Sequence, residues 1–329
     1  MSATPHISPL PAVLATTRFV VENARFVIID QDRVQAVADE LVRRGVQPVA
    51  YDCHRHLCGP DPAVANFVLV LDTLNFSFWP DPGIPRWRVT YQGETLDGYW
   101  ALVAALRRAH DEGIPITDAA YLATLDQPAL QHVLRGEGEI PLLAERVAAL
   151  REVGRGLRDL YDGQFVKMIE RAGHNALVLT GLLANEFSSF NDVSVYGGEL
   201  VEVYKRAQIC CSDLSGASQG APWGRLADLD KLTAFADYKV PQVLRQLGIL
   251  VYTEALASVV DQLLPLPHGS DGEIEIRAGT IWGVEYLRRA LANRGIDVDA
   301  YRLDWHLWEL GQDLPPNTQP YHRSRTIFY

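Results

Sequence analysis

A chain of 329 residues with 48% hydrophobic and 22% charged side chains can bury a large core and lacks the composition of a disordered protein. Its net charge of −11 at pH 7 argues against wrapping a long phosphate backbone, although a small nucleotide needs only a local cluster of positive groups. No apolar run approaches the ~20 residues that span a bilayer. Four cysteines, Cys53, Cys58, Cys210 and Cys211, are too few for a disulfide scaffold, and the lack of a signal-peptide pattern makes a reduced cytoplasm the expected setting.

Residues 1–15 carry three prolines and little periodicity, so they are expected to be loosely held, ahead of a single helical domain over 16–329. Asp32 to Arg44 places Val34, Val37, Ala38, Leu41 and Val42 on one face and stops at Gly45, which predicts a helix. Cys53, His54, His56 and Cys58 crowd into six positions. Zinc sites separate their ligand pairs by longer loops, so an ordinary loop is expected here and no metal. Val64 to Leu74 is nearly continuous apolar sequence and should be buried. It leads into Asn75-Phe76-Ser77-Phe78-Trp79, which is either an aromatic core cluster or a platform for a stacked base. Trp87 to Glu94 alternates around Gln92-Gly93, as a hairpin would. Helices are expected from Gly98 to His110, after Asp118, and from Leu142 to Leu160.

A further helix is expected near His174–Leu183, with His174 read as a structural group. Tyr196-Gly197-Gly198 reads as a turn, and from Glu199 a helix is predicted to run to Asp213 with Lys205 and Arg206 in its interior. Val251 to Leu264 is predicted helical. Ile274 and Ile276 alternate with Glu273, Glu275 and Arg277 before a helix from about Thr280 to Asn293, on which Trp282 and Glu285 share a face. Asp299 should cap a last helix carrying Asp304 and ending at Gly311. A tail that finishes on Ile327-Phe328-Tyr329 is expected to dock and carry His322, Arg323 and Arg325 inward.

The stretch Asp228 to Leu250 organises the rest. Leu229, Leu232, Phe235 and Ala236 fall at helical spacing, the pattern stops at Asp237-Tyr238-Lys239, and Pro241 suits the first turn of a second helix ended by Gly248. The expectation is a helix-turn-helix elbow that fixes Asp237 where a one-carboxylate active site can be built.

The wording FADYKVPQ at this elbow, with LDTLNFSFW at 71–79, EIRAGTIWGVEYL at 275–287 and the terminal YHRSRTIFY, resembles the queuosine salvage protein family from about Arg18 to Tyr329. The resemblance implies an N-glycosylase that cleaves queuosine 5′-monophosphate and releases queuine, without a cofactor. It implies Asp237 as the catalytic carboxylate, with Lys205 as phosphate or leaving-group partner, and a phosphate held by Lys205, His322, Arg323 and Arg325. Base recognition is expected from Phe76, Phe78, Trp79, Trp282 and Glu285, with Asp230, Tyr238, Lys239, Asp304 and Tyr321 as further substrate contacts.

The expected fold is mainly α, a multi-helical domain with a few short strands. A looser likeness to helix-hairpin-helix DNA glycosylases points to the same bond type, but Asp237-Tyr238-Lys239 lacks the glycines of that hairpin, and the charge speaks against duplex DNA. Two function classes remain open: an enzyme acting on a small nucleotide, with no nucleic-acid or membrane partner, and a protein that binds a modified nucleotide or base without chemistry.

Overall fold

The computed structural model describes residues 11–46 and 50–329, among which fourteen α-helices and six short strands are found. In chain order they are α1 (Pro11–Glu22), β1 (Val27–Ile29), α2 (Gln31–Arg44), α3 (Pro62–Thr73), β2 (Arg88–Tyr91), β3 (Glu94–Asp97), α4 (Gly98–Asp111), α5 (Ala119–Thr124), α6 (Gln127–Val133) and α7 (Leu143–Tyr161). There follow α8 (Phe165–Arg171), α9 (Ala176–Glu186), β4 (Val193–Tyr196), β5 (Glu199–Glu202), α10 (Lys205–Ala217), α11 (Lys239–Gln246), β6 (Leu250–Tyr252), α12 (Glu254–Asp261), α13 (Asp271–Ala292) and α14 (Ala300–Leu310). The fold is mainly helical, as composition and periodicity predict. No helix is long and apolar enough to cross a membrane among the described residues. Part of the stretch expected to be loosely held, residues 1–10, lies outside the described residues, and the remainder belongs to α1.

The chain divides into two compact units. One holds the described residues before Ala50 with Asp192–Gln208 and Asp228–Thr326. Its centre is α13, buried at every position from Glu273 to Glu285. A complete turn-by-turn burial explains why α13 has no single apolar stripe. The antiparallel ribbon β1–β6 lies close against it: a Cβ added at Gly279 would stand 3.1 Å from Val27 Cγ1. Val34, Val37, Ala38 and Leu41 of α2, Val243 and Leu244 of α11, and Leu303 and Leu307 of α14 complete this core.

The other unit holds Ala50–Asn191, Ile209–Ala227 and Ile327–Tyr329. Its core joins Phe67, Val70 and Leu71 of α3 to the buried face of α4 and to Val147 and Leu150 of α7. Glycine lets α5 cross α7 closely, since a Cβ at Gly154 would meet Ala123 N at 2.4 Å. The β2–β3 hairpin turns through Gln92 (φ 48°) and Gly93 (φ 85°), the two positive angles that match strand twist. Cys53 and Cys58 form a disulfide, contrary to the expectation of an ordinary reduced loop. Among the described residues no group of three or more His, Cys, Asp or Glu is arranged to hold a metal ion.

Four expectations need correction. The elbow is not helix-turn-helix: Leu229–Lys231 is one 3₁₀ turn, and Leu232 to Asp237 is extended before α11. Every residue from Leu232 to Asp237 is buried, and their backbone groups bond side chains from elsewhere instead of an i−4 partner. The predicted helix from Glu199 is strand β5, paired with β4 across Gly197-Gly198, and Lys205 opens α10 instead of lying inside it. Tyr204, at φ 51°, makes the break, while the Asp192 carbonyl accepts from both Val203 N and Tyr204 N. The predicted helix from Val251 is β6 followed by α12. Last, Glu273 to Arg277 is not a strand-like prelude but the first turns of α13, whose charged residues are buried in ion pairs and hydrogen bonds.

Candidate functional site

Asp237 ends the extended segment and turns the chain into α11. Its Oδ1 accepts from Lys239 N at 2.8 Å and Val240 N at 2.9 Å, which uses the unpaired N–H groups at a helix start. Among the described residues its other oxygen makes no hydrogen bond, and the carboxylate has no ion pair. Asp304 reaches the same segment from α14, where its Oδ1 accepts Phe235 N at 2.9 Å; Oδ2 likewise has no bond. Two buried carboxyls thus hang on one short backbone stretch, each with one oxygen held and one open.

A rigid frame surrounds that stretch. Arg277 of α13 donates Nη1 and Nη2 to the two oxygens of Asp192 at 2.7 and 2.6 Å, and its Nε to the Ala236 carbonyl at 3.1 Å. Asp192 Oδ2 also accepts Lys205 N at 3.0 Å, so a single ion pair positions the start of α10 and the residue before Asp237. Gln208, one turn into α10, receives Thr233 N at 2.9 Å on its amide oxygen and donates to Thr233 Oγ1 at 3.0 Å. Lys205 is buried, and its charge acts on both carboxyls.

The electrostatics separate the pair. Burial raises the pKa of Asp237, opposed by the charge of Lys205 and by the N–H groups of Val240 and Lys239. Asp304 is pushed well above the usual carboxylate range by burial and then by the negative charge of Asp237, with only Phe235 N and Lys205 opposing. A carboxylate of this kind, buried and under the charge of a lysine, can stabilise a cationic sugar ring or deprotonate water.

Tyr238 and Tyr321 pack with ring centroids 4.8 Å apart, and Lys239 Nζ bonds the Gly311 carbonyl at 2.9 Å while lying 5.9 Å from the Tyr321 ring. Tyr321 thus lies against the start of α11, and Gln242 Nε2 donates to the Gln319 carbonyl at 2.8 Å. His322 is buried and held down to about pKa 4 by burial, against the pull of Glu273 and with the push of Arg277, so at neutral pH it is uncharged. Arg323 is tied in by its carbonyl, which accepts Leu266 N at 2.7 Å; Arg323 and Arg325 are half-buried.

Other expected contacts are placed elsewhere. Asp230 is exposed on the 3₁₀ turn. Glu285 pairs with Arg288 and Arg289 at 2.8 and 2.7 Å; burial raises its pKa but these hydrogen bonds outweigh it and hold the group low. Trp282 donates to Thr17 Oγ1 of α1 at 3.2 Å and packs against Tyr286. Neither is brought to Asp237 by a hydrogen bond or ion pair.

Phe76, Phe78 and Trp79 belong to the other unit and are buried there. Phe76 and Phe78 lie against the fully buried Arg146, whose guanidinium carbon is 4.2 and 5.3 Å from their ring centroids. Arg146 also donates to the carbonyls of Leu74, Phe76 and Ser77, which fixes the turn where Ser77 takes φ 40°. Sequence reasoning missed Arg146, Asp192, Gln208 and Arg277. Arg277 had one signal, an arginine inside one of the four motifs that carry the resemblance; Asp192 had none.

The queuosine salvage protein family matches residues 55–329. A relative from Sphaerobacter thermophilus, named queuosine 5′-phosphate N-glycosylase/hydrolase, is 52% identical over 317 residues, covering 96% of this chain and 97% of its own. Proteins of the same name from Bos taurus and Dictyostelium discoideum are 34% and 32% identical, covering 95% and 98% of this chain and 97% and 100% of theirs. A match of this length, on a chain whose buried carboxylate lies in one of the motifs that suggested it, leaves a single conclusion: the chain belongs to the queuosine salvage protein family.

Proposed function

We propose that the protein hydrolyses the N-glycosidic bond of queuosine 5′-monophosphate and releases queuine for reuse in tRNA modification. The observation that carries this reading is Asp237, a buried carboxylate with one oxygen fixed by backbone N–H groups and the other open, next to Lys205. Relatives across nearly the full length bear the name of that activity.

Cleavage of a ribosyl C–N bond builds positive charge on the sugar ring. Asp237 is the group assigned to that charge. Its open oxygen faces the anomeric carbon or the water that attacks it, and the backbone donors on Oδ1 hold the carboxylate without reorganisation during the reaction. Lys205 balances the buried negative charge and serves the phosphate or the leaving base. Arg323 and Arg325 on the docked tail are assigned to the 5′-phosphate, for which arginine provides two parallel bonds. His322 supplies no charge at neutral pH and is left with a packing role. Tyr238, Lys239 and Tyr321, which meet at the start of α11, are assigned to further substrate contacts.

The helix-hairpin-helix likeness is carried here by α11 alone, so the reading does not rest on it. It places the reaction in the cytoplasm, and against that placement stands the Cys53–Cys58 disulfide, which reducing compartments rarely keep. Incubation with queuosine 5′-monophosphate, followed by chromatography, should show queuine and ribose 5-phosphate in equal amounts. Tight binding of the nucleotide without release of base would leave a binding protein instead.

A further inference from the structure

Arg277 of α13 and Asp192 form a buried ion pair, each residue 1% exposed. Such a pair is a weak source of stability, because desolvating the two charges offsets their attraction and apolar side chains of similar size often serve as well. Its significance lies in where its other bonds end. Arg277 donates Nε to the Ala236 carbonyl at 3.1 Å, and that carbonyl shares a rigid peptide plane with the N of Asp237. Asp192 accepts Lys205 N on Oδ2 at 3.0 Å, while its backbone carbonyl accepts Val203 N at 3.1 Å and Tyr204 N at 3.2 Å. One residue thus holds three successive N–H groups up to the start of α10, across the turn where Tyr204 takes φ 51°.

We propose, resting on the glycosylase reading, that Arg277 and Asp192 are positioning residues of the reaction, which together fix the backbone of Asp237 relative to that of Lys205. The path runs from the Asp237 peptide through the guanidinium and the Asp192 carboxylate to Lys205 N. Guanidinium and carboxylate are both planar, and the two parallel bonds between them, at 2.7 and 2.6 Å, stop one from turning against the other. The charges of the pair balance, so its influence on the site is one of distance and angle.

A second tie runs between the same two elements. Gln208, one turn beyond Lys205 and fully buried, accepts Thr233 N on Oε1 at 2.9 Å and donates Nε2 to the Val203 carbonyl at 2.8 Å. The segment before Asp237 is therefore held at Thr233 by α10 itself and at Ala236 by the arginine that grips Asp192. Only the second hold reaches the peptide of Asp237. A reacting group displaced by about 1 Å can lose about a hundredfold in rate, so slack at this point acts on turnover more than on binding.

The test is Arg277→Lys in the intact protein, which keeps a buried cation beside Asp192 and the bond from Lys205 N, but not the fork that reaches the Ala236 carbonyl. Its urea midpoint should stay close to the parent's and its KM for queuosine 5′-monophosphate within about threefold, while kcat falls about a hundredfold. A readout free of turnover is amide exchange at Lys239 and Val240, which donate to Asp237 Oδ1. It should quicken about tenfold in the variant, while Leu303 N, bonded to the Asp299 carbonyl in α14, keeps its rate. Replacing the pair by apolar side chains, Asp192→Leu with Arg277→Met, separates position from stability. The urea midpoint should regain most of what Asp192→Asn loses, and kcat should not follow it. A folded Arg277→Lys variant with the parent's kcat overturns the proposal, as does a double variant that regains rate together with midpoint, or unchanged exchange at Lys239 and Val240. A parent that releases no queuine would fail the glycosylase reading alone, and the exchange rates would still decide whether Arg277 holds Asp237. Should Arg277→Lys not fold, the double variant carries both measurements.

Discussion

Asp192 and Asp237 are both buried aspartates of one unit, yet their surroundings are opposite. Asp192 takes two bonds from Arg277 and one from Lys205 N, which leaves neither oxygen open. Among the described residues Asp237 takes both of its bonds on one oxygen and has no ion pair. The first arrangement makes a frame, because a satisfied ion pair has no further chemistry to do. The second makes a site, because an incompletely solvated carboxylate gains most when positive charge forms next to it. Burial alone does not tell the two apart; the count of satisfied oxygens does.

Mutations can break this contrast. The largest effect should fall on the frame: Asp192→Asn keeps the shape but takes the paired negative charge from the buried Arg277, with Glu273 3.9 Å away. Removing one partner of a buried pair costs about 3–5 kcal/mol, to be read from the urea midpoint. An unchanged midpoint would mean that the pair is not structural. Asp237→Asn should do the reverse. It is expected to lower kcat about a thousandfold, equal to about 4 kcal/mol, with substrate binding kept and melting temperature not reduced. Turnover within a few-fold of the parent would move the chemistry to another carboxyl.

Acid should expose a third difference. His322 has a folded pKa of about 4 and an unfolded value near 6.5, so the unfolded chain takes up the proton first. Its contribution is complete above pH 6.5 and is lost as the pH falls toward 4, by about 3 kcal/mol at the end of that window. His322→Gln should flatten the fall by that amount, leaving the similar part that comes from His56, which is also held at about 4. Equal acid slopes for parent and variant would show that His322 protonates freely. The smallest effect is expected at Glu285, whose pairs with Arg288 and Arg289 are partly solvated. Glu285→Gln should cost under about 1 kcal/mol. A more than tenfold loss of queuine affinity in that variant would return Glu285 to the site.

Much of this was legible in the residues. Apolar spacing and a stopping glycine located α2, and a capping aspartate with a stopping glycine located α14. The segment carrying Asp237 was also found, but its shape was not. Leu232, Phe235 and Ala236 sit at helical spacing because six consecutive positions are buried, and spacing cannot distinguish a buried helix from a buried extended strand. The side chains that settle the matter, Gln208, Arg277 and Asp304, come from far along the chain, and local pattern holds no trace of them. Glu273 to Arg277 misled for a related reason: their charges are paired inside the protein, so polarity there did not mean exposure.

The extended stretch before α11 has a kinetic consequence. Its amide and carbonyl partners lie 69 residues away at Asp304 and 41 residues away at Arg277, so the backbone around Asp237 cannot be held until α13 and α14 have docked. Contacts of such sequence separation close late in folding, after the local helices have formed. The Phe235 amide is then a reporter of the last step: its exchange with solvent deuterium measures the opening of α14 from this segment, and with it the fraction of molecules in which the two carboxyls are apart.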